Sequence, residues 1–219
     1  MASVLRCSPL NRALGDMRGK MKKAFILVLC PILSHLSVAN DDLGFPLHKK
    51  YDTYSVSGDT VSELEASFNL SKPAFLKELD AYTKWEYWFS TDDNTCEIHE
   101  FSLNITYTLP QLERSVSSAE STELFREHIE QLYRHEQTHC ALAVMVVHQM
   151  YLEFQSGQDG NCNSANHKVR ELEDRLLKDN ELFDAYTFHG GIELVTSPFG
   201  EESYLELCEI PFSAVSTRI

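Results

Sequence analysis

His135-Glu136-Gln137-Thr138-His139-Cys140-Ala141-Leu142-Ala143-Val144-Met145-Val146-Val147 decides the fold. It opens with imidazoles and a carboxylate, then turns apolar on nearly every side. As a helix, such a stretch runs through a core and emerges at its polar end. Phe125, Ile129, Leu132, His139, Ala143, Val146 and Met150 recur at helical intervals, which predicts a helix from about Ser121 to Phe154. Within it, His135, Glu136 and His139 form an HExxH motif. A spacing of four puts both imidazoles on one helix face, about 5–6 Å apart at Cβ. From there both can reach one Zn²⁺ ion. Glu136 follows the first ligand, where a carboxylate can take a proton from water that the metal activates. The motif states a reaction class, metal-assisted hydrolysis.

Downstream, Ser156 to Asn161 reads as a loop. A second helix from about Asn163 to Phe183 carries Ala165, Val169, Leu172, Leu176 and Phe183 on one stripe. The short loop predicts that the two helices pack antiparallel. Upstream, Tyr51 to Ser57 reads as a strand, and Thr60 with Glu63 has capping-box spacing for a short helix that ends before Pro73. Thr83 to Thr91 is aromatic-rich and predicts a second strand. Cys96 to Leu109 predicts a third, with Phe101, Leu103, Ile105, Tyr107 and Leu109 facing the core and a polar opposite face. Pro110 is expected to stop it. The tail beyond Gly190 reads as irregular. These elements predict an α+β fold: a small antiparallel sheet packed on two long antiparallel helices, the first a zincin-like active-site helix.

The chain has 219 residues, 43% hydrophobic and 24% charged, the values of a globular protein. Residues 1–39 read as a secretory signal peptide. Met21-Lys22-Lys23 is its basic start, Ala24 to Leu33 its apolar run and Ser37-Val38-Ala39 its cleavage site, with residues 1–20 as extra upstream sequence. The apolar run is short for a membrane span, so no stable membrane insertion is expected after its removal. Residues 40–219 are then a single zinc peptidase-like domain, secreted or periplasmic. Thirteen basic and thirty-two acidic residues remain there, a balance of −19 that argues against nucleic acid as a partner. Cys96, Cys140, Cys162 and Cys208 allow three full pairings in an oxidising compartment. Cys96 and Cys162 sit in turn-like sequence that accommodates a bridge. Cys140 reads equally as a small buried hydrophobe or as a partner of Cys208.

A catalytic zinc needs a third protein ligand and an open position. Glu171, Glu173 and Asp174 on the second helix are candidates, as are Asp184 and His189 at its end. His189 is favoured, because Gly190-Gly191 lets the chain fold back toward the first helix and Asp184 and Thr187 can orient an imidazole. His99, His128, His148 and His167 read as structural or solvated residues. Tyr186 is a candidate second donor to an oxyanion.

Several stretches carry a family resemblance: Tyr54-Ser55-Val56-Ser57-Gly58, Trp85-Glu86-Tyr87, the strand from near Cys96, Arg134 to His139, and Cys162 with Ala165-Asn166. The last is Phe183-Asp184-Ala185-Tyr186-Thr187-Phe188-His189-Gly190, which is similar to a Tyr-Asp-x-x-Thr-x-His-Gly pattern with Phe183 in the tyrosine's place. Over roughly residues 50–195 the chain resembles the bacterial family of unknown-function domains described as predicted secreted zinc-dependent proteases. The resemblance implies a zinc metallopeptidase acting on a peptide or protein substrate, with His135, His139 and His189 on the metal and Glu136 as general base. Two alternatives use the same residues: a secreted or envelope protein with a closed structural zinc site, Glu171 or Asp184 being its fourth ligand, and a zinc hydrolase of non-protein amides.

Overall fold

The computed structural model describes residues 40–92, 95–113, 119–157 and 162–211; the leader read at residues 1–39 lies outside them. A 3-10 turn at Asn40–Leu43 leads into strand β1 (Leu47–Val56). Helix α1 (Val61–Ser71) follows, begun by the capping box of Thr60 and Glu63, in which hydroxyl and carboxylate satisfy the helix's first free amides. After a 3-10 turn at Ala74–Leu76 come β2 (Tyr82–Thr91) and β3 (Ile98–Leu112). Two long helices, α2 (Ala119–Gly157) and α3 (Cys162–Thr187), complete the α+β domain. The described part of the tail includes a 3-10 helix at Glu202–Cys208.

The sheet order is β1-β3-β2. β2 and β3 pair antiparallel, as expected, but β1 joins β3 parallel, so the sheet is mixed rather than purely antiparallel. The link between β1 and β3 is long enough for a crossover, since α1 and β2 lie within it. β3 also passes through Pro110 to Leu112. Pairing with β2 ends at Thr108, so the missing N–H of Pro110 falls where β3 has a neighbour on one side only. The alternation of β3 holds: Phe101, Leu103, Ile105, Tyr107 and Leu109 are all buried.

That row packs against α2, where every side chain from Cys140 to Val147 is buried. Each large side chain removed from water here contributes about 1.5–3 kcal/mol. α2 and α3 run antiparallel, as the order of their cross-contacts shows: Glu153 with Lys168, His139 with Asn180, and Gln131 with the turn after α3 at Gly190. Among the described residues, two disulfides with buried cysteines tie these elements together. Cys96–Cys162 ties the start of the β3 hairpin to the start of α3, and Cys140–Cys208 ties the centre of α2 to the tail. Among the described residues, no helix is long and apolar enough to cross a membrane.

Candidate metal centre

α2 brings His135, Glu136 and His139 to the point where it passes between β2 and α3, and all three are buried. His135 Nε2 and His139 Nε2 stand 3.0 Å apart. Asp184 Oδ1, from α3, lies 2.9 Å from His139 Nε2 and 3.3 Å from His135 Nε2. Ligands of one tetrahedral zinc are separated by about 3.3 Å, so the three atoms have the spacing of a shared ion. Among the described residues, these three form a group of potential ligands whose atoms all lie within 4.8 Å of one another.

The polar atoms here are poorly satisfied by protein. Both Asp184 carboxylate oxygens and Glu136 Oε1 are buried without a hydrogen bond of good geometry. Leaving such groups bare costs about 1–3 kcal/mol each, more when charged. A divalent cation would supply what they lack, and a donor set of two imidazoles and a carboxylate is of the kind that can hold zinc. Glu136 is held from the other side: Thr83 Oγ1 on β2 lies 2.6 Å from its Oε2 and 3.1 Å from its backbone oxygen.

Electrostatics follow from burial and from one carboxylate shared by two rings. Burial works against charge on Asp184, but the close imidazoles of His135 and His139 outweigh it and hold the carboxyl well below the usual range. Burial pushes His135 down to about 4 against the pull of Asp184. It opposes charge on His139 too, but there Asp184, Glu136 and Asn180 prevail and the pKa is raised. The two rings therefore diverge because only one readily takes a proton beside Asp184. Burial raises Glu136 to about 7, partly offset by His139 and by the Thr83 hydroxyl.

Two spaces flank the group. A pocket of about 10 Å³, room for about one water, lies beside Glu136 and is lined by Tyr82, Thr83, Trp85 and Asn180. A cleft of about 470 Å³ opens on His135, between α2, the end of α3 and the tail; Arg134, Phe183, Leu194, Glu201 and Leu205 line it. The turn that starts the tail is tight, with Phe188, His189 and Gly190 all left-handed at φ of 47°, 59° and 79°. Gly190 fits because a Cβ there would stand 3.2 Å from His135 Cγ. The turn passes directly over the His135 ring.

A family model described as a bacterial protein of unknown function, DUF922, matches residues 51–190. The chain belongs to this family. No curated protein and no solved structure matches the chain. The DUF922 span runs from within β1 to Gly190 and takes in His135, Glu136, His139, Asp184 and His189. Most of the tail wall of the cleft, from Ile192 to Leu205, lies beyond it.

Within the DUF922 span, the residues singled out from sequence are placed unequally. His189 lies beside the group, one-third exposed, with Nδ1 3.9 Å from Asp184 Oδ1. Asp184, a ligand candidate placed behind His189 and an expected support for its ring, faces both motif histidines. Glu171 is exposed and pairs with His167, Asp174 is exposed, and Glu173 accepts a hydrogen bond from Tyr87, so none of the three joins the group. Tyr186 is half exposed with its ring on that of Phe199, and the tyrosine lining the Glu136 pocket is Tyr82. His128 stands near Asp80 and His148 bonds Tyr204. Thr83 and Asn180 were not singled out from sequence. For Asn180 a signal existed: Leu176, Asn180, Asp184 and Thr187 lie at helical spacing and all are buried, so polar residues interrupt an otherwise apolar stripe.

Proposed function

We propose that this protein is a secreted zinc-dependent metallopeptidase. The observation that carries the reading is the convergence of His135 Nε2, His139 Nε2 and Asp184 Oδ1 beside the bare, buried Oε1 of Glu136. His135, His139 and Asp184 would hold the ion. Zinc, when bound, supplies a Lewis acid that activates water near neutral pH and polarises a carbonyl. Glu136 accepts the water's proton at Oε1, the oxygen that Thr83 leaves unengaged, and hands it to the leaving amine. Thr83 engages Oε2 and leaves Oε1 free for this role. The cleft on His135 offers a substrate access to the group. The two disulfides fit an oxidising compartment outside the cytoplasm.

A second reading is a closed structural site, and the nearness of His189 to Asp184 favours it, since a fourth protein ligand would remove the open position. Metal analysis of residues 40–219, with digestion of an unbiased peptide library by the wild type and Glu136→Gln, tests both. The peptidase reading expects one zinc per chain in both proteins and cleavage by the wild type alone. Zinc bound without cleavage of any peptide supports the structural site, or a non-peptide amide as substrate. A wild type that binds no zinc overturns all three.

A further inference from the structure

Asn180 is 1% exposed on α3, one turn before Asp184, at a position where an apolar side chain would extend the stripe of Leu176 and Phe183. Asparagine is also a poorer helix former than leucine. Its amide is spent on two contacts. Nδ2 donates to the backbone oxygen of Leu176 at 2.8 Å, which turns Oδ1 toward His139 Nδ1 at 2.7 Å. An amide oxygen only accepts, so the proton of neutral His139 sits on Nδ1 and the lone pair on Nε2. Nε2 is the atom that faces His135 and Asp184.

We propose that Asn180 is a positioning residue that fixes the tautomer and aim of His139, and so sets the affinity of the site for zinc. The inference rests on the metal reading of His135, His139 and Asp184. His135 has a looser counterpart. Thr187 Oγ1 gives its own proton to the Phe183 carbonyl at 2.8 Å, and its lone pair stands 3.5 Å from His135 Nδ1. The longer contact orients less, so the tighter bond from Asn180 makes His139 the better-defined ligand. An amide suits this place because it accepts the Nδ1 proton without adding a second negative charge beside Asp184.

The test is a zinc titration against a chromophoric chelator, with wild type, Asn180→Leu and Asn180→Asp at neutral pH. Outer hydrogen-bond partners of ligating histidines are worth about 10- to 100-fold in metal affinity. Asn180→Leu is expected to lose that much, while Asn180→Asp, which still accepts from Nδ1, is expected to stay within about threefold of wild type or bind tighter. Asn180→Leu binding zinc as tightly as wild type overturns the inference and leaves the metal reading standing. A wild type that takes no zinc overturns the metal reading, and the inference with it. Should Asn180→Leu not fold, nitrogen-15 NMR of the zinc-loaded wild type decides instead. Coordination of His139 through Nε2 with a proton on Nδ1 is expected, and coordination through Nδ1 overturns the inference.

Discussion

The hydroxyl of Thr83, on the edge strand β2, donates to the carboxylate of Glu136 in the middle of α2 at 2.6 Å, so sheet and helix meet at the motif's acid through a single proton. The contact is wholly buried and leaves one carboxylate oxygen unused. It determines which way Glu136 points.

Replacing Thr83 with valine keeps the shape and strips the donor. A buried carboxylate left without its partner costs about 1–3 kcal/mol, so Thr83→Val is expected to shift the urea midpoint downward with an unchanged slope. Thr83→Ser, which restores the hydroxyl, should recover most of the loss. Equal midpoints for wild type and Thr83→Val would show that the bond carries no weight.

Glu136 also makes the metal-free protein sensitive to pH. Burial raises its folded pKa from 4.5 to about 7. A raised carboxyl contributes fully below its unfolded value, and that contribution is lost as pH climbs through the folded value. Glu136→Gln lacks the titration. Its stability advantage over wild type should be small at pH 5 and grow toward about 3 kcal/mol at pH 8. Chemical denaturation of both proteins without metal, at several pH values, measures the difference; a constant offset contradicts it.

Zinc is expected to stabilise the fold by mass action. At a free concentration about 100 times its dissociation constant the gain is about 2.7 kcal/mol, or about 5–10 °C in melting temperature for a domain of this size. His135→Ala and Asp184→Ala should abolish the shift. His189→Ala should retain it, because His189 lies outside the atoms within 4.8 Å. Loss of the shift in His189→Ala would bring His189 into the coordination sphere.

Asp80 carries a separate electrostatic contribution. Burial raises its carboxyl, but hydrogen bonds from His128 and Lys72, with their charges, hold it below its ordinary value. A depressed carboxyl stabilises above its unfolded pKa, and the gain vanishes as pH falls through the folded value. Asp80→Asn leaves the mostly buried Lys72 ammonium, 3.3 Å away, without its counter-charge. The variant should be less stable than wild type at pH 7, with the gap closing below about pH 4; thermal melts at both values read it out.

Much of this was written in the order of the residues. The HExxH spacing, the apolar run from Ala141 to Val147, the alternation from Phe101 to Leu109 and the Thr60 capping box each depend on local periodicity, and each recurs in the structure. What sequence left open depends on how elements are rotated against one another. Local pattern does not determine whether β1 joins β3 parallel or antiparallel, since both burial patterns look alike on one strand. Asp184 and His189 are five residues apart at the end of α3, and which of them faces His139 depends on the roll of α3 against α2. The left-handed turn at Phe188 and His189 carries the latter aside. Pro110 misled for a related reason, because its missing N–H matters only where a partner strand exists.

Cys140 follows His139 directly and is bonded to Cys208, 68 residues further along the chain, just past the tail that walls the cleft. The motif helix and the tail beside its cleft are thus joined in one covalent ring, closed only by oxidation. A reduced chain has the motif but not this ring, so oxidation, and not the order of residues alone, closes the link between the motif helix and the tail beside the cleft.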